Sequence, residues 1–108
     1  MPRVGLRWRT GALPSFGTVN RAALLALPAL LERWLPDGRR HGNEWVARNP
    51  TRADRRPGSF KVNLLTGRWA DFATGDSGGD VIALAAYLAG IGQGQARREL
   101  ARLLGLVP

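Results

Sequence analysis

Between residues 49 and 80 the chain runs NPTRADRRPGSFKVNLLTGRWADFATGDSGGD, dense in Gly, Pro, Asn and Asp and interrupted only by short alternating apolar runs. Such punctuation excludes a long helix and favours short strands joined by turns. Phe60 and Val62 alternate with Ser59, Lys61 and Asn63, the Leu64-Leu65-Thr66-Gly67 segment makes a turn, and residues 68 to 72 return. Residues 59 to 72 are therefore expected to form a β-hairpin, with Glu44 to Arg48 as a further strand that places Trp45 and Ala47 on one face. Two or three antiparallel strands are not stable alone in water. Their apolar face needs a second layer, which the flanking sequence supplies.

On the N-terminal side, Asn20 is a candidate N-cap for a run in which Ala22, Ala23, Leu24, Leu25, Leu27, Leu30, Leu31, Trp34 and Leu35 recur with helical spacing. Pro28 removes a backbone donor and disfavours helix just before it, so two helices are expected, near residues 20–26 and 28–35. Pro36-Asp37-Gly38 ends them, and Arg39 to Gly42 reads as a turn. On the C-terminal side, Asp80 is a candidate N-cap for a helix from Val81 to Leu88 closed by Gly90. A last helix from about Gln93 to Leu104 sets Ala96, Leu100, Leu103 and Leu104 on one side and Arg97, Arg98 and Arg102 on the other. The expected fold is a small α+β domain, a short antiparallel sheet packed with N-terminal and C-terminal helices. Residues 1–17, rich in Gly, Pro and Arg, read as a flexible basic arm whose end Phe16 anchors, and residues 18–108 as one domain. At 108 residues and 44% apolar, the chain has enough material for one modest core.

Sixteen Lys and Arg against eight Asp and Glu give a net charge of +8, and all but one of the cations are Arg. Solvation alone is served equally by Lys, whereas the planar guanidinium pairs with phosphates and stacks on rings. The excess is concentrated: Arg39, Arg40, Arg48, Arg52, Arg55, Arg56, Lys61 and Arg68 face only Glu44 and Asp54 across the same stretch. A polyanion is the natural partner, and these eight are the candidate nucleic-acid-binding residues. Trp45 and Trp69 lie among them, but each alternates in phase with inward residues, so core packing is favoured over base stacking.

Other chemistry finds less support. The chain has no cysteine and one histidine, so disulfides and thiolate metal sites are excluded, and no cofactor is expected. Gly75, Gly78 and Gly79 precede a helix without the Lys of a phosphate loop, and Asp76 and Asp80 repel anions there, so a turn and cap is the better reading. His41 reads as a solvated turn residue. No nucleophile and base pair in a recognisable pattern, and capping and ion pairing suit Asp54, Asp71, Asp76 and Asp80 better than magnesium, so an enzyme is not expected. Neither a signal-peptide pattern nor a membrane-length apolar run occurs, and a cytoplasmic protein without a membrane partner is expected.

Asn49-Pro50, Arg55-Arg56-Pro57-Gly58-Ser59-Phe60-Lys61-Val62, Trp69-x-x-Phe72 and Gly78-Gly79-Asp80-Val81-Ile82 resemble, in order and spacing, the zinc-ribbon domain at the N-terminus of bacterial and phage DNA primases and primase-helicases. That family reads roughly C-P-x-H, P-S-F-x-V, W-x-C-F-x-C and G-G-D-V-I. The resemblance covers about a third of the chain, extends to the two helices after it, and makes Gly58 an insertion. It places Asn49, Arg52, Asp71 and Thr74 at the four zinc-ligand positions, so the ribbon implied is a zinc-free one. Arg52 and Asp71 carry opposite charges at facing positions. A salt bridge between them, with Asn49 and Thr74 as hydrogen-bonding neighbours, is one way to hold the loops; the alternative is that all four are exposed. The function implied is a non-catalytic module that engages single-stranded template DNA for a primase or primase-helicase of a phage or plasmid. The alternative is a protein-interaction module that docks onto a replication enzyme.

Overall fold

The computed structural model describes residues 13–107. Among them are four α-helices, α1 (Phe16–Leu25), α2 (Leu27–Trp34), α3 (Val81–Ala89) and α4 (Gln93–Leu103), and five strands, β1 (Arg39–His41), β2 (Glu44–Ala47), β3 (Phe60–Asn63), β4 (Trp69–Asp71) and β5 (Ser77–Gly78). The strands lie side by side in chain order and every neighbouring pair is antiparallel. The fold is α+β, with an open antiparallel sheet between two pairs of helices in sequence. No helix of the described residues is long and apolar enough to cross a membrane.

Register divides the sheet into two unlike faces. Ala47 opposes Phe60, Trp45 opposes Val62, and Val62 opposes Trp69, so these residues share one side. Ala47, Phe60 and Val62 are wholly buried and join Leu27, Leu31, Leu35, Ile82 and Leu84 in a single core. Tyr87 of α3 presses on this face, its ring stacked 6.1 Å from Phe60 and tilted 4.6 Å from Trp69. The Trp45 indole Nε1 donates to the Leu35 carbonyl at 3.1 Å, fastening β2 to the end of α2. Both tryptophans therefore belong to packing, as their phase in the sequence implies.

Pro28 divides the N-terminal helices as expected: it sits in the first turn of α2, where its missing N–H costs nothing, and Ala26 is shared between the two. The helix start differs from expectation. Ser15, not Asn20, caps α1, its Oγ accepting the Thr18 N–H at 3.1 Å. Asn20 lies inside α1 and caps a different helix, with Oδ1 accepting the Ile82 N–H of α3 at 2.9 Å. Alongside it Asp80, the expected cap, accepts the Ala83 N–H at 2.8 Å. Gly90 ends α3 at φ 68°. The arm expected over residues 1–17 falls mostly outside the described residues, but its last part belongs to the domain, for Leu13 packs on the core and Phe16 opens α1.

The remaining differences lie in the sheet and in α4. Arg39–His41, expected as part of a turn, pairs with β2 around a two-residue Gly42-Asn43 loop in which Gly42 takes φ 59°. That left-handed conformation suits glycine and gives the twist a tight hairpin needs. Ser77–Gly78, expected as a turn, adds a fifth strand to β4. Gly78 is required there because a Cβ would lie 2.5 Å from the Trp69 ring. In α4 the buried side is Ala96, Leu100 and Ala101, while Leu103 is 45% exposed. Arg97, expected in solvent, covers the Phe16 ring at 4.6 Å and donates from Nη1 to the Pro14 carbonyl at 3.2 Å.

Candidate nucleic-acid interface

The loop between β2 and β3 must be fixed before its arginines can present a defined surface, and Asp71 at the end of β4 fixes it. The Asp71 carboxylate is fully buried and accepts four hydrogen bonds: from Arg52 Nε at 2.8 Å, Arg52 Nη2 at 3.3 Å, Asn49 Nδ2 at 2.9 Å and the Ala73 N–H at 2.9 Å. The expected Arg52–Asp71 ion pair is thus present as a two-pronged fork, the geometry in which guanidinium and carboxylate interact best. Asn49, buried beside it, also donates from Nδ2 to the Tyr87 hydroxyl at 2.8 Å, and Tyr87 donates onward to Asp76 at 2.8 Å. Asp54 closes the loop by accepting the Asn49 N–H at 2.9 Å and lying 3.3 Å from Arg52 Nη2. One polar network therefore joins the 49–54 loop, the end of the hairpin and α3. Asp54 and Asp76 serve in ion pairing and hydrogen bonding, the kind of role expected of them, whereas Tyr87 is an unforeseen member at whose inward position only its apolar company in α3 hints.

The Arg52 hydrogen bonds hold the Asp71 pKa far below the ordinary carboxylate range, against burial, which works to raise it; Asn49 and the Ala73 amide add to the lowering. Zinc does not fit the side chains at this junction. A permanent cation stands 2.8 Å from the one carboxylate that would bind it. Thr74 is exposed and takes no part in the clamp, its Oγ1 instead accepting the Asp76 N–H at 3.2 Å.

The sheet's second face is open. Arg39, His41, Glu44, Val46, Lys61, Asn63, Ala70 and Ser77 alternate onto it, and none is buried. Just past β4, Phe72 continues the row and is 71% exposed, with Lys61 Nζ 5.6 Å from its ring centre. Glu44, Lys61, Asn63, Arg68, Phe72 and Ser77 surround a shallow hollow of about 530 Å³ floored by Ala70. Arg55 and Arg56 are exposed and line a second hollow with Ala73, which places them at the Phe72 end of the sheet. Phe72 is the one exposed aromatic in this region. Its place after Trp69-Ala70-Asp71 makes it out of phase with Trp69, the sequence signal that it faces the other way.

The eight candidate cations thus separate into groups. Lys61 and Arg68 meet at one hollow, Arg55 and Arg56 at its neighbour, and Arg39 lies on the same open face from the edge strand. Arg40 faces the other side and donates from Nε to the Gly42 carbonyl at 3.0 Å, bracing its own hairpin. Arg48 pairs with Asp37 at 3.0 Å, and Arg52 is engaged by Asp71 and Asp54. Asp37 titrates lower than usual: burial works to raise it, but the Arg48 side-chain and backbone hydrogen bonds outweigh that. Five of the eight are left free of such pairing among the described residues.

A small α+β domain with one packed and one open, basic sheet face is what the fold and the site define. No family model matches the chain, and no curated protein matches it.

Proposed function

We propose that the protein is a non-catalytic nucleic-acid-binding module that engages single-stranded DNA along the open face of its sheet. The observation that carries this reading is Phe72, an aromatic ring 71% exposed just past β4 that shares a hollow with Lys61 and Arg68, while Arg55 and Arg56 line a second hollow with the adjoining Ala73. Single strands are held by cations on the phosphates and ring faces beneath the bases. In the free protein Lys61 hovers over the ring, a contact worth about 0.5–1 kcal/mol when exposed. A stacked base contributes about 1–3 kcal/mol, so it displaces the ammonium and leaves it for the adjoining phosphate. The resemblance of residues 49–80 to primase ribbons supports a place in a primase or primase-helicase system, and the Arg52–Asp71 clamp supplies a zinc-free means of shaping the loop that carries Arg55 and Arg56.

Because Phe72 is exposed, Phe72→Ala is expected to leave the melting temperature unchanged while weakening single-stranded DNA binding by about five-fold or more, read by fluorescence anisotropy. Unchanged affinity would remove Phe72 from the interface.

A second reading draws on the opposite side of the molecule, where Trp34, Leu88, Ile91, Leu100 and Leu103 line an apolar groove between α2, α3 and α4. This feature suits a protein-interaction module docking onto a replication enzyme. Absence of DNA binding at low ionic strength, with co-purification of such an enzyme, favours that reading instead.

A further inference from the structure

The hollow beside Phe72 holds one acid among its cations. Glu44 lines it from β2, opposite Asn63 of β3, and is half-buried. The ion pairs of the described residues take Asp37, Asp54 and Asp71 but not Glu44, although Lys61 and Arg68 share its hollow. A surface that only followed phosphates is weakened by such a group, since a carboxylate repels them. What a carboxylate does recognise is a pair of hydrogen-bond donors, for it accepts and never donates when ionised.

Among the nucleobases, guanine carries two neighbouring donors on one edge, N1–H and the N2 amino group, spaced to meet the two oxygens of a carboxylate. Adenine and cytosine set a single amino group beside an acceptor nitrogen, and thymine sets one N–H between two carbonyls. In a duplex that edge is occupied by the partner strand, so only an unpaired base offers it. Glu44 and Phe72 do not serve the same nucleotide. Asn63, the neighbour of Glu44, is two residues from Lys61 along β3, and Phe72 is two residues beyond Ala70, the partner of Lys61. At roughly 3.3 Å per residue the two ends of the hollow stand on the order of 13 Å apart along the strands. Lys61 lies between them.

We infer that Glu44 is a specificity-determining residue that selects an unpaired guanine, while Phe72 stacks a neighbouring base of the same strand and Lys61 meets the phosphates between. This rests on the nucleic-acid-binding reading above and adds to it a base preference. The test is fluorescence anisotropy at low salt with oligothymidylate, with the same oligonucleotide carrying one central deoxyguanosine, and with deoxyinosine in its place, which lacks the N2 amino group. The guanine oligonucleotide is expected to bind at least about five-fold tighter than oligothymidylate, the low end for a two-point base contact, with deoxyinosine between them. Glu44→Gln is expected to merge the three affinities, with thymidylate binding rising because a repulsive charge has gone. Equal wild-type affinity for all three oligonucleotides, with salt-dependent binding intact, overturns the guanine assignment and leaves the general function standing. A guanine preference that survives in Glu44→Gln overturns the role of Glu44. No binding to any of them overturns both.

Discussion

Asp71 is a charge with no exposed surface, and its four donors make that tolerable. Removing the guanidinium would leave the carboxylate buried and under-satisfied, the costly half of a buried pair. Asp71→Ala is accordingly expected to lower stability more when Arg52 is present than in an Arg52→Ala background, a non-additivity read from chemical denaturation of both single variants and the double variant. A pH dependence follows from the same contacts. A carboxylate whose pKa is lower folded than unfolded stabilises the fold at pH above its unfolded value, and that contribution drains as pH falls toward the folded value. Asp71 and Asp37 are both shifted down, so stability should hold near neutrality and decline below about pH 4, with Arg52→Ala moving the acid-unfolding midpoint upward. The pair was legible from Arg52 and Asp71 as opposite charges at facing positions of the primase pattern. Its extension through Asn49 to Tyr87 was not, because 38 residues separate those two and no local periodicity encodes a side-chain hydrogen bond.

At the level of elements, positions were more legible than ends. The period of the apolar residues located α2, α3, β3 and β4, and Pro28 and Asp80 act as they would in any chain. Polar edge strands lack that signal: Arg39–His41 buries nothing, and only the Gly42-Asn43 dipeptide, a favoured hairpin loop, marks β1. Asn20 misled because a good capping side chain served a helix 62 residues away rather than its own. Asn20→Ala should therefore destabilise by roughly 1–3 kcal/mol, the cost of an unpaired buried donor, although a mid-helix Asn→Ala change on its own favours helix. Thermal unfolding followed at the far-ultraviolet helix band distinguishes the two signs. Gly78→Ala should cost a similar amount, because the added methyl group forces the Trp69 ring off Tyr87 and Phe60. Near-ultraviolet circular dichroism of the tryptophans reports that displacement directly.

Across the whole molecule, the helices cover one face of the sheet and leave the other open. The chain as a whole carries a net charge of +8, and within the described residues Asp37, Asp54 and Asp71 are taken up by Arg48 and Arg52. The sequence pattern disclosed the excess of charge but not its division between bracing and presentation, which depends on which arginines find a carboxylate in three dimensions. If Lys61, Arg68, Arg55, Arg56 and Arg39 contact a phosphate backbone, each neutralised phosphate releases condensed counterions. Replacing Arg55 and Arg56 together should weaken binding to all sequences alike and shallow the salt dependence. The most direct measurement is the affinity of the wild-type protein for an oligothymidylate strand across a salt series. The account predicts a straight log-log fall with a slope of roughly 2 to 4, from about three to five phosphate contacts; no binding at low salt, or a salt-independent affinity, would contradict it.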